Sequence, residues 1–167
     1  QRQMCIRDRD NGFDYICEMD CDFSHNPDDL LRLTAELEAG ADVAVGSRYS
    51  KGVTVVNWPM SRLLMSYCAS RYVRIVTGMP VCDATAGFVG YKREVLAAID
   101  FDRIEMVGYG FQIEMKYTAW KMGFRIGEVP IIFADRTEGT SKMSGGIFGE
   151  AFFGVLALPF RTIARKK

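Results

Sequence analysis

The chain has 167 residues, the length of one domain, and its hydrophobic fraction of 49% is typical of a globular protein. The formal net charge is zero, so overall charge gives no indication of nucleic-acid binding. Residues 43–82 nevertheless contain basic side chains and no acid, and residues 139–167 contain Glu150 as their one acid. This pattern fits an anionic ligand or an anionic membrane surface, with ordinary solvated charge as the alternative.

The cysteines are odd in number and form no C-x-x-C pair, which disfavours a zinc site or a disulfide framework. A reducing, cytoplasmic setting is the simplest interpretation. No stretch reaches the ~18 consecutive apolar residues expected of a membrane-spanning helix.

The first third of the chain is predicted to form a strand, a helix and a second strand. Residues 13–19 have the aromatic and apolar content of a strand. Asn26 is a candidate helix cap with Pro27 at the first helical position, and Gly40 ends the helix. Residues 41–47 form the second strand. This order predicts an α/β fold whose mostly parallel sheet is flanked by helices.

Five further elements are predicted downstream. Residues 58–77 have the periodicity of a long amphipathic helix, and residues 85–91 form a third strand. A helix over residues 111–122 precedes a strand over residues 125–135, in which Pro130 indicates an edge or a bulge. Residues 136–146 are predicted to be a polar loop, and residues 147–163 an amphipathic helix with a cationic end.

Asp20 and Asp22 follow the first predicted strand, at the end where open α/β sheets bind ligands. Residues two apart on a strand point to the same side, so both carboxylates could share Mg²⁺ or Mn²⁺ on a substrate diphosphate. A helix cap or a turn is the alternative for so short a motif. A phosphatase of the haloacid-dehalogenase type is disfavoured, because Phe23 stands where those enzymes need a small residue.

Further segments extend the pattern in a fixed order. They are "MDCDFSHNPDDLLRL" (19–33), "GADVAVGSRY" (40–49), "NWPMSRLLMS" (57–66), "CDATAGFVGY" (82–91), "GYGFQIEM" (108–115) and "DRTEGTSKM" (135–143). With these segments the chain resembles family 2 glycosyltransferases of the GT-A fold, in the polyprenyl-phosphate (dolichol-phosphate) mannosyltransferase branch. The resemblance covers about residues 13–150.

The resemblance implies that Asp20, Asp22 and Ser24 hold Mg²⁺ or Mn²⁺ on the diphosphate of a nucleotide sugar, with GDP-mannose as the expected donor. Arg48, Arg62 and Ser66 match positions that bind the acceptor phosphate. The spacing of Arg62 and Ser66 agrees, because residues four apart share one helical face. An ordinary surface arginine is the alternative for Arg62.

The same resemblance implies further substrate-binding residues, which are Asp83 and, in a cationic loop closing over both substrates, Arg136, Ser141 and Lys142. The implied catalytic residues are Asp22, Arg48, Gln112 and Glu114. An exposed helix carboxylate is the alternative for Glu114. His25 is either a residue behind the metal ligands or, more simply, a turn residue.

The implied reaction is metal-assisted transfer of a hexose to polyprenyl or dolichyl phosphate with inversion, by a peripheral enzyme at the cytosolic face of a membrane. A UDP-glucose-type donor or a glycan acceptor is the alternative within the family. An inactive fragment or a membrane-associated binding module is the alternative from another class.

We expect three segments. Residues 1–10 have no periodicity and are interpreted as a foreign or disordered leader. Residues 11–146 form a partial GT-A domain whose first βαβ portion is missing, because the family places such a half before the D-x-D motif and only 19 residues precede Asp20 here. Residues 147–167 form an amphipathic helix that lies either in a membrane interface or on the core.

Overall fold

The computed structural model describes residues 2–135 and 145–165. Its six helices are α1 (Arg2–Asp10), α2 (Asp29–Glu38), α3 (Met60–Thr77), α4 (Arg93–Ala98), α5 (Tyr109–Lys121) and α6 (Gly145–Ala157). Its six strands are β1 (Tyr15–Glu18), β2 (Val43–Ser47), β3 (Val55–Val56), β4 (Val89–Lys92), β5 (Ile126–Pro130) and β6 (Phe133–Ala134). Within these ranges the predicted helices and strands are present, with shifted ends.

The main sheet has four strands in the order β1-β4-β2-β5. Strands β1, β2 and β5 run in one direction, but of the three pairings in the described sheet only β2–β5 is parallel, so the sheet is mixed and not mostly parallel as predicted. Strand β4 lies between β1 and β2 and is antiparallel to both. The first two strands are therefore parallel but not adjacent, because a later strand pairs between them.

The strand predicted over residues 125–135 divides into two. Strand β5 is the outer strand of the described sheet and ends at Pro130, which agrees with the edge that this proline indicated. Strand β6 instead pairs with β3 in a separate two-stranded sheet. This small sheet brings residues 133–135 beside the segment that leads into α3.

Helices cover both faces of the main sheet. On one face Leu33 and Leu37 of α2 pack with Ala44 and Phe88. On the other face Val43 and Val45 pack with a cluster that includes α5. Successive strand residues alternate between the two faces, as a pleated strand requires. Gly46 allows the side chain of Phe88 to pack directly against strand β2, because a Cβ at this position would lie 2.7 Å from Phe88 Cδ1.

Helix α2 begins at Asp29, two residues later than predicted. Asn26 does not cap it directly. Its side-chain oxygen accepts a hydrogen bond from the backbone N–H of Asp28 at 3.1 Å, in the turn that precedes the helix. The polar residue therefore organises the entry to the helix, with Pro27 still outside its first turn.

Residues 2–10, expected to be a foreign or disordered leader, form helix α1. Cys5 is buried in the core, and its thiol donates to Glu18 of β1 at 2.8 Å. Disorder therefore does not describe this segment, while its foreign origin stays a prediction.

Helix α6 is followed by a short 3₁₀ turn, Leu158–Phe160. Val155 and Leu158 are buried in a cluster with α3 and α5 residues, while Phe153 and Phe160 are exposed. The segment thus packs on the core through one side and presents apolar residues on the other. Within the described ranges, no helix is long and apolar enough to cross a membrane.

Candidate functional site

The loop after β1 carries the D-x-D motif. The Asp20 side chain is 57% exposed, and the carboxylate of Asp22 accepts hydrogen bonds from the backbone N–H and the hydroxyl of Ser24. Phe23 has φ of 59°, a left-handed conformation that a non-glycine residue rarely adopts. The motif therefore lies in a tight turn, so the extended geometry that the sequence suggested for Asp20 and Asp22 is not found.

His25 is buried between two aromatic rings, with the centroids of Phe88 and Phe133 each 4.9 Å from its own. Its Nε2 lies 3.7 Å from a carboxylate oxygen of Asp20, and neither ring nitrogen has a hydrogen-bond partner among the described residues. A simple turn role does not account for this burial. His25 is the residue directly behind Asp20.

The D-x-D loop supplies a small set of oxygen ligands. Among the described residues, no group of three or more His, Cys, Asp or Glu side chains is placed to hold a metal ion. Mg²⁺ is commonly bound by one or two carboxylates, with substrate phosphates and water completing its octahedron. Asp20, Asp22 and the hydroxyl of Ser24 fit a metal of that kind, for which the ligand diphosphate supplies part of the coordination.

Arg48 and Asp83 form a buried ion pair at the end of β2. Arg48 Nε and Nη2 donate to the two oxygens of Asp83 at 2.7 and 2.6 Å, and the Arg48 backbone N–H donates to the same carboxylate. Burial lowers the pKa of Arg48, but the hydrogen bonds and charge of Asp83 outweigh it and the pKa is raised. Both predicted substrate-binding side chains are therefore engaged with each other.

Arg62 lies on the first turn of α3. Its guanidinium lies 4.1 Å from the ring centroid of Trp58, and Nη1 donates to the carboxylate of Asp135 at 2.6 Å. One turn further along, Ser66 accepts a hydrogen bond from the hydroxyl of Tyr49 at 2.8 Å. The predicted helical face is thus present, with Arg62 partly exposed.

Trp58 joins the two arginines. The guanidinium of Arg48 lies 5.4 Å from the Trp58 ring centroid, 5.3 Å from that of Tyr49 and 5.6 Å from that of Phe133. Two cations therefore share one indole ring, within the range of cation–π attraction. The structure brings Arg48, Arg62 and Ser66 into one aromatic frame, while their binding of an anion stays a prediction.

The aromatic frame adjoins the D-x-D loop. The backbone N–H of Ala134 donates to the carbonyl of Ser24 at 3.2 Å, and Phe133 contacts both His25 and Trp58. A Cβ at Gly87 would lie 3.7 Å from the Asp20 carboxylate. The acidic and cationic parts therefore form one continuous site.

Helix α5 carries two of the predicted catalytic residues. Gln112 donates to Glu18 of β1 at 2.6 Å, two residues before Asp20, and its side-chain carbonyl oxygen is buried with no hydrogen-bond partner in the described part of the chain. Glu114 accepts from the backbone N–H groups of Glu105 and Met106, and it is buried. The alternative of an exposed helix carboxylate is therefore wrong for Glu114, which anchors the loop before its own helix.

Lys116 on α5 was not singled out by its sequence. It is fully buried, and Nζ donates to the carbonyls of Ala84, Ala86 and Gln112 at 3.1, 2.7 and 3.2 Å. Burial lowers the pKa of Lys116 to about 7. Its ammonium thus holds the turn after Asp83, although nothing local in a helical sequence distinguishes a buried lysine from an exposed one.

Glu128 of β5 was also missed. Its carboxylate accepts from the backbone N–H groups of Cys82 and Asp83 at 2.9 and 3.1 Å. With Lys116 it fixes the segment that presents Asp83 to Arg48. Of the remaining predicted site residues, Arg136, Ser141 and Lys142 lie outside the described residues.

Comparison with known proteins identifies the family of this chain. The sequence pattern described as "Glycosyl transferase family 2" matches residues 11–100, more than half of the chain. The chain belongs to this family. Family membership carries the GT-A fold with it and decides against the haloacid-dehalogenase alternative. The match includes the D-x-D motif, Arg48, Arg62, Ser66 and Asp83.

Two curated relatives are similar over most of the chain. An undecaprenyl-phosphate mannosyltransferase of Micrococcus luteus is 47% identical over 146 residues, which are 87% of this chain and 60% of that protein. A polyprenol monophosphomannose synthase of Mycolicibacterium smegmatis is 47% identical over 144 residues, which are 86% of this chain and 54% of that protein. The chain therefore spans between half and two thirds of the length of these family members.

Proposed function

We propose that the protein to which this chain belongs transfers a hexose, mannose from GDP-mannose, to a polyprenyl phosphate with inversion at the anomeric carbon. The observation that carries the proposal is the pair of guanidiniums on Trp58, directly beside the D-x-D loop. The names of the two relatives support the same sugar and acceptor class.

The phosphate group of the acceptor would itself be the nucleophile. The second pKa of a phosphate monoester is about 6, so an acceptor phosphate is largely dianionic at neutral pH and needs no strong general base. What the protein must supply is alignment and neutralisation of charge. Arg62 is suited to this role, because its fork is partly exposed and its plane is fixed by Trp58.

Arg48 and Asp83 would act without contacting the acceptor phosphate directly. Both Asp83 oxygens accept hydrogen bonds from Arg48, and the Arg48 guanidinium packs against the rings of Tyr49 and Trp58. Arg62 and Ser66 would then be the groups nearest the acceptor. We therefore assign the phosphate contact to Arg62 and a positioning role to Arg48.

A divalent ion, Mg²⁺ or Mn²⁺, would be held by Asp20, Asp22 and Ser24 on the donor diphosphate. When bound, it stabilises the negative charge of the departing nucleoside diphosphate. The hydroxyl of Ser24 orients the Asp22 carboxylate, and the imidazole of His25 backs the Asp20 carboxylate. Gln112, which donates a hydrogen bond to Glu18 at the end of β1, would help to orient the sugar from α5.

The test is transfer of label from radioactive GDP-mannose to a polyprenyl phosphate by the full-length protein. We expect labelled lipid product with the wild type and a loss of at least 100-fold with Asp20→Asn, in proportion to the loss of charge stabilisation. Product unchanged by Asp20→Asn would refute the metal role. Transfer from UDP-glucose alone would overturn the donor, and no transfer from either would favour a binding module.

The membrane surface is the proposed location of the acceptor end. Exposed apolar side chains occur on α3, at Met60, Leu64 and Ile75, and on α6, and the stacked rings of Tyr72 and Phe152 connect the two helices. Arg71 and Arg74 on α3 accompany them without any acid on that helix. Such a surface suits the interface of an anionic membrane.

Co-sedimentation with anionic liposomes tests the location. The full-length protein is compared with a variant lacking residues 147–167 and with the double variant Phe153→Ser, Phe160→Ser, which changes only exposed positions. We expect both variants to bind less. Equal sedimentation of all three proteins would contradict a membrane role for this segment.

A further inference from the structure

Arg62, to which we assign the acceptor phosphate, is bonded to a carboxylate of its own chain. Its Nη1 lies 2.6 Å from Asp135 Oδ1, and the two side chains are 29% and 31% exposed. We propose that Asp135 is an internal competitor that occupies the anion-binding edge of Arg62 and thereby sets the affinity of this subsite for phosphate monoesters. The inference rests on the proposed function.

Backbone contacts hold Asp135 at this place. Its N–H donates to the carbonyl of Val56 at 3.0 Å, and the preceding residue, Ala134, donates to the carbonyl of Ser24. The first bond belongs to the pairing of β3 with β6, and the second connects β6 to the D-x-D loop. The fold therefore holds the backbone of Asp135 beside Arg62, within reach of its guanidinium.

The guanidinium of Arg62 can bind an anion along its edge, through its in-plane N–H groups, but not on the face that Trp58 covers. One face of the guanidinium lies 4.1 Å from the ring centroid of Trp58. The in-plane N–H groups remain for ligands, and Asp135 takes Nη1. A phosphate that reaches the same edge must compete with this carboxylate, because both anions need the same in-plane donors.

The contact with Asp135 is one that a phosphate can replace. An exposed ion pair of this kind is weak, whereas a phosphate monoester carries about −1.5 to −2 charges and three acceptor oxygens. The second guanidinium at Trp58, that of Arg48, adds positive potential at the same place. The Arg48–Asp83 pair differs, because Asp83 is fully buried and cannot be displaced by a ligand.

The neighbouring indole provides a direct readout. The chain has two tryptophans, so Trp120→Phe, with any tryptophan of the full-length protein outside this chain also changed to Phe, leaves Trp58 as the single indole, in contact with Arg62. In this background geranyl phosphate and inorganic phosphate are titrated against the full-length protein, with geraniol as the uncharged control. This measurement needs no donor sugar, no metal and no turnover.

Asp135→Asn is expected to tighten binding of both phosphates by about two- to fivefold, the value of a released exposed ion pair. The factor is the same for both probes, because the competition concerns the phosphate and not the isoprenyl chain. Asp135→Ser is a second variant that removes the charge with a smaller side chain. Glu105→Gln is the matched control, since it removes one charge from the pair with Arg161 and should leave both affinities unchanged.

Arg62→Gln separates the possible failures. If the proposal holds, this change weakens phosphate binding and abolishes the gain from Asp135→Asn in the double variant. Weaker binding by Arg62→Gln without any gain from Asp135→Asn or Asp135→Ser overturns the competitor and leaves the proposed function intact. Binding that is insensitive to Arg62→Gln in every background overturns the acceptor subsite itself. An equal gain from Glu105→Gln reduces the effect to net charge and also overturns the competitor.

Discussion

The cationic and acidic parts of this site treat charge in opposite ways. Arg48 is buried and matched by Asp83 with two short hydrogen bonds, whereas the nearby Asp20 side chain is 57% exposed and lies beside the His25 ring. The first arrangement neutralises a charge inside the protein, and the second leaves a carboxylate exposed to solvent. The difference teaches that Arg48 belongs to the rigid frame of the fold, while the proposed function assigns ligand binding to Arg62 and the D-x-D loop.

The largest effect is expected from breaking the buried pair. Asp83→Asn leaves the guanidinium of Arg48 buried without its counter-charge, which costs about 3–5 kcal/mol of the free energy of unfolding. Urea denaturation measures this loss. The double change Arg48→Met, Asp83→Leu should recover most of it, because an apolar pair leaves no buried charge. A single-variant loss below about 1 kcal/mol would contradict the idea that this pair is the rigid frame.

The next effect concerns Lys116, whose pKa burial lowers to about 7. In the unfolded chain a lysine has a pKa of about 10.4, so above pH 7 the unfolded state binds the additional proton and folding becomes more favourable as the pH rises. The slope is at most about 1.4 kcal/mol per pH unit. Asp83, Glu18, Arg48 and Glu128 also act on this ammonium.

Urea denaturation of the wild type and Lys116→Met between about pH 7 and about pH 8, below the usual cysteine pKa of about 8.5, checks this expectation. The difference in free energy between the two proteins should change with pH, because the variant lacks the titrating group. Lys116→Arg is the control that keeps a permanent charge. Parallel pH profiles of wild type and Lys116→Met would exclude a lowered pKa.

A smaller effect is expected within the D-x-D loop. Ser24→Ala removes the hydroxyl that donates to Asp22, which costs about 1 kcal/mol of stability. Ser24→Ala should also weaken the affinity for Mn²⁺ in the presence of GDP, which electron paramagnetic resonance measures. This change in affinity tests the role of the hydroxyl more specifically than the loss of stability does. Ser24→Thr retains the hydroxyl and should bind as the wild type does. Unchanged affinity in Ser24→Ala would show that this hydroxyl does not orient a metal ligand.

The smallest effect on stability is expected from Asp20→Asn, within about 0.5 kcal/mol of the wild type, since the side chain is largely exposed. The same change should abolish Mn²⁺ binding with GDP. Asp83→Asn would then mainly reduce stability, whereas Asp20→Asn would mainly reduce Mn²⁺ binding. A large loss of stability in Asp20→Asn would erase the contrast between the two parts of the site.

Local patterns were sufficient for much of the architecture. The helix α3 and its Arg62–Ser66 face follow from 3.6-residue periodicity, and the strand before the D-x-D motif follows from its apolar content. The antiparallel insertion of β4 between β1 and β2 could not be predicted, because pairing between strands far apart in sequence depends on the whole sheet. The helical state of residues 2–10 depends in the same way on the core that buries Cys5.

The sequence by itself determined the family, the order of the elements and the chemical types placed in the site, because ordered motifs survive in the linear order of residues. Only the tertiary structure decided how those residues are used. Arg48 and Asp83 are separated by 35 positions, and Lys116 bonds to carbonyls 30 and 32 positions away. Whether a charge is neutralised inside the protein or offered to a ligand depends on such distant contacts, which burial strengthens and which no local pattern encodes.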